Sequence, residues 1–313
     1  PTRRNPTLLT GSLRIAIDIG GTFTDLQVLE EATGRTFACK SPTTPDDPSI
    51  GFMNAVDHAR QRFGFELAQV HSLFHGTTIA TNAVLEDKLP PGALVTTAGF
   101  RDVLEIGRHT RQAVYASIAE SRRLLIPRRR RLEVLERVGA DGSVRTNLDP
   151  DSVEHCLDQL AGAEVRSVAV AFLHAYANPT HELEMAQRIT ARFGTGLHVA
   201  LSHQTSPEIR EYERTSTTAL NALLMPVISD YVDALRRRMD AAGFTPRLYL
   251  VQSNGGVVTP EVARRLPARL LLSGPSGGAI AAEQMAKALD EPNLVAIDLG
   301  GTSFDVSVLT DSR

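Results

Sequence analysis

A glycine-rich segment occurs twice in this chain, once near each end, and it constrains the fold more than any other feature. Residues Arg14 to Leu29 read RIAIDIGGTFTDLQVL, and residues Leu294 to Leu309 read LVAIDLGGTSFDVSVL. Aligned without a gap, nine of the sixteen positions are identical, including Asp18/Asp298, Gly20/Gly300, Gly21/Gly301, Thr22/Thr302 and Asp25/Asp305. An apolar run ending in Asp, a Gly-Gly-Thr turn and a second apolar run predict strand, tight turn and strand. The glycines are expected to supply positive φ and, lacking Cβ, to let a phosphate approach the backbone N–H groups. The threonine hydroxyl adds a donor, and the carboxylate can hold a metal or a metal-bound water. Two plain glycine-containing hairpins are the simpler alternative, but packing does not require the same polar residues twice. The repeat is therefore read as two phosphate-gripping hairpins facing one nucleotide across a cleft. No GxxxxGK[ST] loop and no GxGxxG fingerprint is present.

At 313 residues the chain can build two domains with their own cores. A net charge of -3 and 22% charged residues give no electrostatic case for nucleic acid or an anionic membrane. The one basic cluster, Arg128-Arg129-Arg130-Arg131, reads as a solvated edge before the strand-like LEVLERV. Cys39 and Cys156 form no CxxC pair, which predicts two buried thiols in a cytoplasmic protein rather than a disulfide framework. No apolar stretch approaches a membrane span, and residues 1–12 are expected to be a flexible leader without a signal-peptide core.

Strand-like and helix-like segments alternate, which favours an α/β architecture. A third strand is expected near Arg35–Lys40, a helix over Ile50–Phe63, and strands at Ser72–Phe74, Ala93–Thr97, Val165–Leu173 and Leu248–Gln252. TSPE matches a capping box with Thr205 as N-cap and Glu208 at N3, opening a long helix to about Ala242 that bends at Pro226. Leu270–Leu272 reads as a strand entering a Ser273-Gly274-Pro275-Ser276-Gly277-Gly278 turn, followed by a helix over Ala279–Leu289. The boundary between halves is placed near residue 200, giving segments 13–200 and 201–313.

Three further clusters bear on chemistry. His75-Gly76-Thr77-Thr78 lies where a strand meets a helix and reads either as an anion or carbonyl site or as a helix cap with a core histidine. Gly274, Gly277 and Gly278 can let a ligand approach the backbone, or simply let a helix pack closely on a sheet. Ser253-Asn254-Gly255-Gly256 reads equally as a plain hairpin turn. Arg108, His109 and Arg111 can clamp a carboxylate or phosphate, although lone arginines are usually surface residues. No HExxH or close metal-ligand spacing is present.

The paired hairpins look like the two phosphate motifs of the actin/Hsp70/sugar-kinase superfold, a ribonuclease H-like α/β architecture of mixed sheets with flanking helices. More specifically, the chain resembles the hydantoinase/oxoprolinase family in DIGGTFTDL, HGTTIATNAVLE, TTAGFRDVLEIGRHTR, AFLHAYANPTHE, SPEIREYERTSTTALNALLMP, QSNGG, SGPSGGAI and DLGGTSFDV. The resemblance implies an N-terminal hydantoinase-type domain and the opening part of a second domain, whose later portion would complete the adenosine pocket. It implies ATP-dependent opening of a cyclic amide (a hydantoin, 5-oxoproline or related lactam) by phosphorylation of the amide oxygen. Gly20, Gly21, Thr22, Thr24, Gly300, Gly301, Thr302 and Ser303 would then meet the ATP phosphates, together with Gly274, Gly277 and Gly278. Asp18 and Asp298 would handle Mg²⁺ or its waters, with Asp25 and Asp305 bracing the turns. His75 would be catalytic, and Thr77, Thr78 and Arg108 would lie on the substrate side. A hydantoinase B-type subunit is the implied partner. An ATP-dependent acetone or acetophenone carboxylase subunit and a non-catalytic nucleotide-binding module remain the alternatives. The HGTT and SPEIREYERTSTT segments do not suggest a sugar kinase.

Overall fold

The structure, a computed structural model, describes residues 9, 11–110, 115, 124–299 and 304–311. The first hairpin forms as the alternation requires, with β1 (Leu13–Ile19) and β2 (Phe23–Glu30) antiparallel, and β3 (Arg35–Pro42) beside β2. Leu13, Ile15, Ile17 and Ile19 point into the core, while Arg14, Ala16 and Asp18 lie on the opposite, open face.

Helix α1 (Pro48–Phe63) follows, because Asp47 caps the Ser49 amide, Pro48 occupies the first turn, and Gly64 ends it in the left-handed region. It buries Phe52, Ala55, Val56 and Ala59. The expected strand at Ser72–Phe74 is the middle of a longer β4 (Val70–Thr77), which runs parallel to β1 and leads into α2 (Ile79–Leu85).

Next come β5 (Gly92–Thr97), the single turn α3 (Val103–Ile106), β6 (Arg131–Val134), the short pair β7 (Arg137–Val138) and β8 (Val144–Thr146), and α4 (Pro150–Ala161). After these lie β9 (Ser167–Ala171), α5 (Thr180–Phe193), β10 (His198–Leu201), α6 (Ser202–Thr205) and α7 (Glu211–Ala241). The chain then runs through β11 (Arg247–Val251), β12 (Val257–Val258), α8 (Pro260–Arg265), α9 (Ser273–Leu289), β13 (Leu294–Leu299) and β14 (Phe304–Leu309).

These elements form two compact units. One is discontinuous, combining the chain up to Asp87 with the chain from Ile228 onward; the other is Lys88–Val227. The discontinuous unit holds a six-stranded sheet ordered β12-β11-β4-β1-β2-β3. It also holds the second hairpin, β13–β14, whose inner side packs on α9 through Leu294, Ala296, Ala282, Ala286 and Leu309. The two hairpins share one register: Arg14 pairs Leu29 and Asp18 pairs Asp25, just as Leu294 pairs Leu309 and Asp298 pairs Asp305.

The other unit is built on a parallel sheet, β10-β9-β5-β6, sandwiched in apolar side chains such as Val95, Val168, Val170, Met185 and Ile189. Two buried carboxylates pin its strand ends. Glu136 receives the Thr97 hydroxyl and pairs with His181 at 2.7 Å. Glu182 accepts from the Phe172 amide (3.1 Å), the Ser202 hydroxyl (2.5 Å), the His203 amide (3.1 Å) and His203 Nδ1 (2.6 Å).

Several expectations are corrected. Thr205 ends α6 rather than capping the long helix, because its hydroxyl donates back to Leu201 O and the Ser206 amide to Ser202 O. The long helix starts at Glu211, since Arg214 reaches back to Glu208 O and holds the preceding segment out of the helix. Leu270–Leu272 is no strand: Pro267–Leu270 is a 3₁₀ turn, and Leu272 takes φ 59°. The glycine-rich SGPSGG segment lies within the first turns of α9, not in a loop before it. Arg131 is not on a solvated edge; its side chain is buried and bound to Ile126 O, Asp102 and Glu105. Both cysteines are buried and free. Among the described residues, no helix is long and apolar enough to cross a membrane.

Removing the Glu182 carboxylate strands four donors around a sealed site. Glu182→Ala is therefore expected to cost about 3–5 kcal/mol of stability, read from urea denaturation.

Candidate functional site

The site is centred on Asp18, the last polar residue of β1 before the Gly20–Phe23 turn. The turn closes with the Gly20 amide donating to Phe23 O at 3.0 Å. Contrary to expectation, Gly20 does not take positive φ; a Cβ there would stand 3.2 Å from Phe23 O, so glycine serves close approach instead. Thr43 braces the turn from behind: its amide donates to Thr22 O (2.9 Å) and its hydroxyl to Gly20 O (3.0 Å), while also meeting the Thr24 hydroxyl at 3.0 Å. The buried Thr24 is thus part of the brace, whereas Thr22 is exposed at the tip. Among the described residues, the Gly21 and Thr22 amides have no hydrogen-bond partner, which leaves two adjacent donors available to an anion.

Two elements converge on the Asp18 carboxylate. Gly76 of β4 pairs with Asp18 across the sheet, and a Cβ at Gly76 would lie 2.6 Å from Asp18 Oδ1. Gly274, in the first turn of α9, would place a Cβ 3.9 Å from Asp18 Oδ2. Ser273 fixes that helix start by donating to Thr77 O at 3.2 Å, and the Leu272 amide donates to Thr81 Oγ1 at 3.1 Å. Gly277 and Gly278 are exposed one turn further along.

Asp18 lies on the open face of its strand, yet its neighbours crowd it. Desolvation by those neighbours raises its carboxyl pKa above the ordinary range, and the charges of Asp25 and Asp298 raise it further. Asp25 itself pairs with Lys40 at 3.3 Å. The second hairpin thus brings its aspartate within electrostatic range of the first. Gly300, Gly301, Thr302 and Ser303 lie outside the described residues, as does Arg111.

His75 and the two threonines are placed differently from the ligand-facing reading. His75 is fully buried, with Nδ1 3.3 Å from Ile17 O and Nε2 2.6 Å from the Tyr231 hydroxyl. Burial lowers its pKa to about 4. It packs edge-on against Phe52 and is a core histidine, so it does not meet a ligand here. Thr77 is buried and accepts from the Ile79 amide; Thr78 donates to Ile19 O at 3.2 Å and accepts from Asn82. Their hydroxyls knit the β4–α2 junction to the end of β1. Arg108 belongs to the other unit, where it is exposed and paired with Glu213. Thr43, Gly76 as a seat for Asp18, and Tyr231 were not singled out by sequence.

With this geometry in view, the comparisons fall into one family. Residues 14–193 match the hydantoinase/oxoprolinase N-terminal region and residues 214–313 match the hydantoinase/oxoprolinase domain, so the chain belongs to the hydantoinase/oxoprolinase family. It is 38% identical to an uncharacterized protein of Methanocaldococcus jannaschii, over 96% of this chain and 44% of that protein. It is 31% identical to the caprolactamase subunit alpha of Pseudomonas jessenii, again over 96% of this chain and 44% of the relative. The crystal structure of that ATP-dependent caprolactamase superposes with a TM-score of 0.83 at 31% identity, covering 94% of this chain and 43% of that one. A nucleotide-free acetone carboxylase superposes with a TM-score of 0.85 at 25% identity, covering 96% and 44%. The chain therefore spans less than half the length of these relatives.

The Asp18 carboxyl has a raised pKa, so the fold favours its neutral form. The resulting penalty is absent at low pH and grows as pH rises through the folded-state value. Asp18→Asn is expected to raise the melting temperature of the ligand-free protein near neutral pH by about 1–3 °C, the partial exposure keeping the effect small. In melting curves recorded from about pH 8 down to about pH 4, the gap from the native protein should close.

Proposed function

We propose that this chain carries the phosphate-handling part of an ATP-dependent enzyme that opens a cyclic amide. The observation that carries the reading is the Gly21–Thr22 pair of unpartnered amides beside the crowded Asp18 carboxylate, with the start of α9 alongside. Positioning and charge neutralisation are most of what phosphoryl transfer needs, and these groups supply both.

A lactam amide is resonance-stabilised, so water attacks it slowly. Attack of the amide oxygen on the γ-phosphorus of ATP forms an O–P bond, breaks the bond to ADP, and leaves an imidate-like carbon. Water then adds at that carbon, the ring C–N bond opens onto a protonated nitrogen to leave an acyl phosphate, and a second water hydrolyses that acyl phosphate to the carboxylate and inorganic phosphate. In this scheme the Gly21 and Thr22 amides and the Thr22 hydroxyl hold phosphate oxygens, and Gly20 lets the turn close tightly beneath them. Gly300, Gly301, Thr302 and Ser303 would do the same from the second hairpin, as their repeated sequence suggests. Gly274 keeps the start of α9 close to the site; Gly277 and Gly278 are assigned to its rim.

Asp18, with Asp25 and Asp298 both within its electrostatic range, fits a divalent cation. Among the described residues, however, no three His, Cys, Asp or Glu side chains converge on one metal position. The donor set therefore fits Mg²⁺ held jointly by Asp18, Asp298 and phosphate oxygens rather than in a protein cage. Bound there, Mg²⁺ neutralises phosphate charge. Asp18 and Asp298 are assigned to it, Asp25 and Asp305 to bracing the turns, and His75 to positioning. Thr77 and Thr78 are assigned to the floor of the site, and Arg108 to a substrate contact.

A carboxylase reading has its own support in the fold likeness to acetone carboxylase. Both reactions begin by phosphorylating a carbonyl-derived oxygen, and the phosphate groups described here serve either. The relatives include a named alpha subunit, which supports a second, hydantoinase B-type chain as partner.

The deciding experiment is ADP release by the natural-length protein with Mg-ATP, with and without that partner. The panel comprises 5-oxoproline, hydantoin, N-methylhydantoin, caprolactam, and acetone plus bicarbonate. Stimulation by one cyclic amide is expected. A response only to ketone plus bicarbonate would replace the reading with carboxylation, and stoichiometric ATP binding without turnover would replace it with a binding module. Asp18→Asn should lower amide-dependent ADP release by at least about a hundredfold.

A further inference from the structure

Tyr231 and His75 form a buried polar pair that the phosphate chemistry does not use directly. The Tyr231 hydroxyl lies 2.6 Å from His75 Nε2, and His75 Nδ1 lies 3.3 Å from Ile17 O. The tautomer follows from the partners. A carbonyl only accepts, so Nδ1 must carry the proton, and Nε2 must then accept from the tyrosine hydroxyl. Burial keeps the imidazole neutral, and burial likewise raises the Tyr231 pKa, so the phenol stays protonated as a donor.

The register gives this pair its significance. Ile17 stands opposite His75 in the β1–β4 ladder, and the next pair along is Asp18 opposite Gly76. The imidazole thus bonds the carbonyl of the residue facing it, one step before the place where the Asp18 carboxylate rests over Gly76. The clearance there is small, since even a methyl group at Gly76 would collide with Asp18 Oδ1. A sideways slip of β1 against β4 would move that carboxylate directly. An apolar pair of the same shape would fill this volume without needing satisfied donors and acceptors, so packing alone does not explain a tyrosine–histidine pair here.

We infer that Tyr231 and His75 are positioning residues for Asp18, with the tyrosine hydroxyl selecting the imidazole tautomer that ties β4 to Ile17 and thereby sets the carboxylate over Gly76. This inference rests on the ATP reading for its kinetic consequence, but its geometric content stands apart from it.

The test is Tyr231→Phe, which removes one oxygen and keeps the ring. In the natural-length protein, ¹⁵N-labelled histidine should report the His75 proton on Nδ1, and in the variant that proton should redistribute toward Nε2. With ¹³C-labelled aspartate at one fixed pH, the Asp18 carboxyl resonance should move in the variant while that of Asp25 moves less. Amide-dependent ADP release should lose about tenfold in kcat with KM for ATP changed by less than about threefold, the pattern of a displaced group rather than lost binding. A purely structural pair would lower the melting temperature while leaving the Asp18 resonance and kcat below the melt unchanged, and that result would overturn the inference. A native tautomer protonated on Nε2 would overturn it as well. If the native protein shows no ATP turnover, the ATP reading fails, and the His75 tautomer together with the Asp18 resonance decides this one.

Discussion

The site depends on one close contact, the Asp18 carboxylate seated over the bare backbone of Gly76. It is possible only because β1 lies between β2 and β4, so that the residue ending the strand has a glycine across the ladder and a turn of its own ahead of it. The alternation of β1 fixes which side this happens on: four aliphatic residues anchor the strand in the core, and Asp18 is left on the open face. The turn is then held by Thr43 from one side, and the start of α9 is held by Thr77 O from the other. Each brace uses a hydroxyl or a backbone group rather than a charge, so the carboxylates remain the dominant local field.

The two units solve different problems. The all-parallel sheet of the Lys88–Val227 unit buries its strands on both faces, so its polar strand ends must be satisfied internally. Glu136, Glu182 and Arg214 do this, Arg214 taking Phe172 O as well as Glu208 O. The mixed sheet of the other unit leaves one end of β1 open to solvent, and there the polar groups are left available instead of consumed.

Much of the fold was legible because it is local. The alternation of β1 and β2, the helical spacing over Ile50–Phe63, and the apolar runs at Ala93–Thr97 and Val165–Leu173 each carry their own signal. The failures share one cause. TSPE is a sound capping sequence, but Arg214 takes Glu208 O and so competes for the segment through a tertiary contact. The apolar Leu270–Leu272 stretch resembles a strand, yet Pro267 starts a 3₁₀ turn that takes up Leu270, and Leu272 enters α9 in the left-handed region. Arg131 looked solvated in a run of arginines because nothing local announces that Asp102 and Glu105 meet it. In the site, Asp18 and the turn were legible because the repeat marks them. Thr43, Tyr231 and the role of Gly76 were not, because each depends on which strand lies beside which.

The discontinuity of the first unit also has a consequence for the order in which the protein can be made. Strand β4 pairs on its outer side with β11, and the two are separated by the whole of the Lys88–Val227 unit. From Thr77 to Arg247 is about 170 positions, which at ribosomal rates is a wait on the order of 10–30 s. Throughout that interval the nascent sheet carries an unpaired edge at β4, and His75 has no tyrosine to meet. Unpaired edges recruit foreign strands. The interior unit, by contrast, has all four of its parallel strands by Leu201. The six-stranded sheet is therefore completed only after the interior unit has all its strands, and the brace that α9 gives to the seat of Asp18 arrives last, after the longest exposure to mispairing.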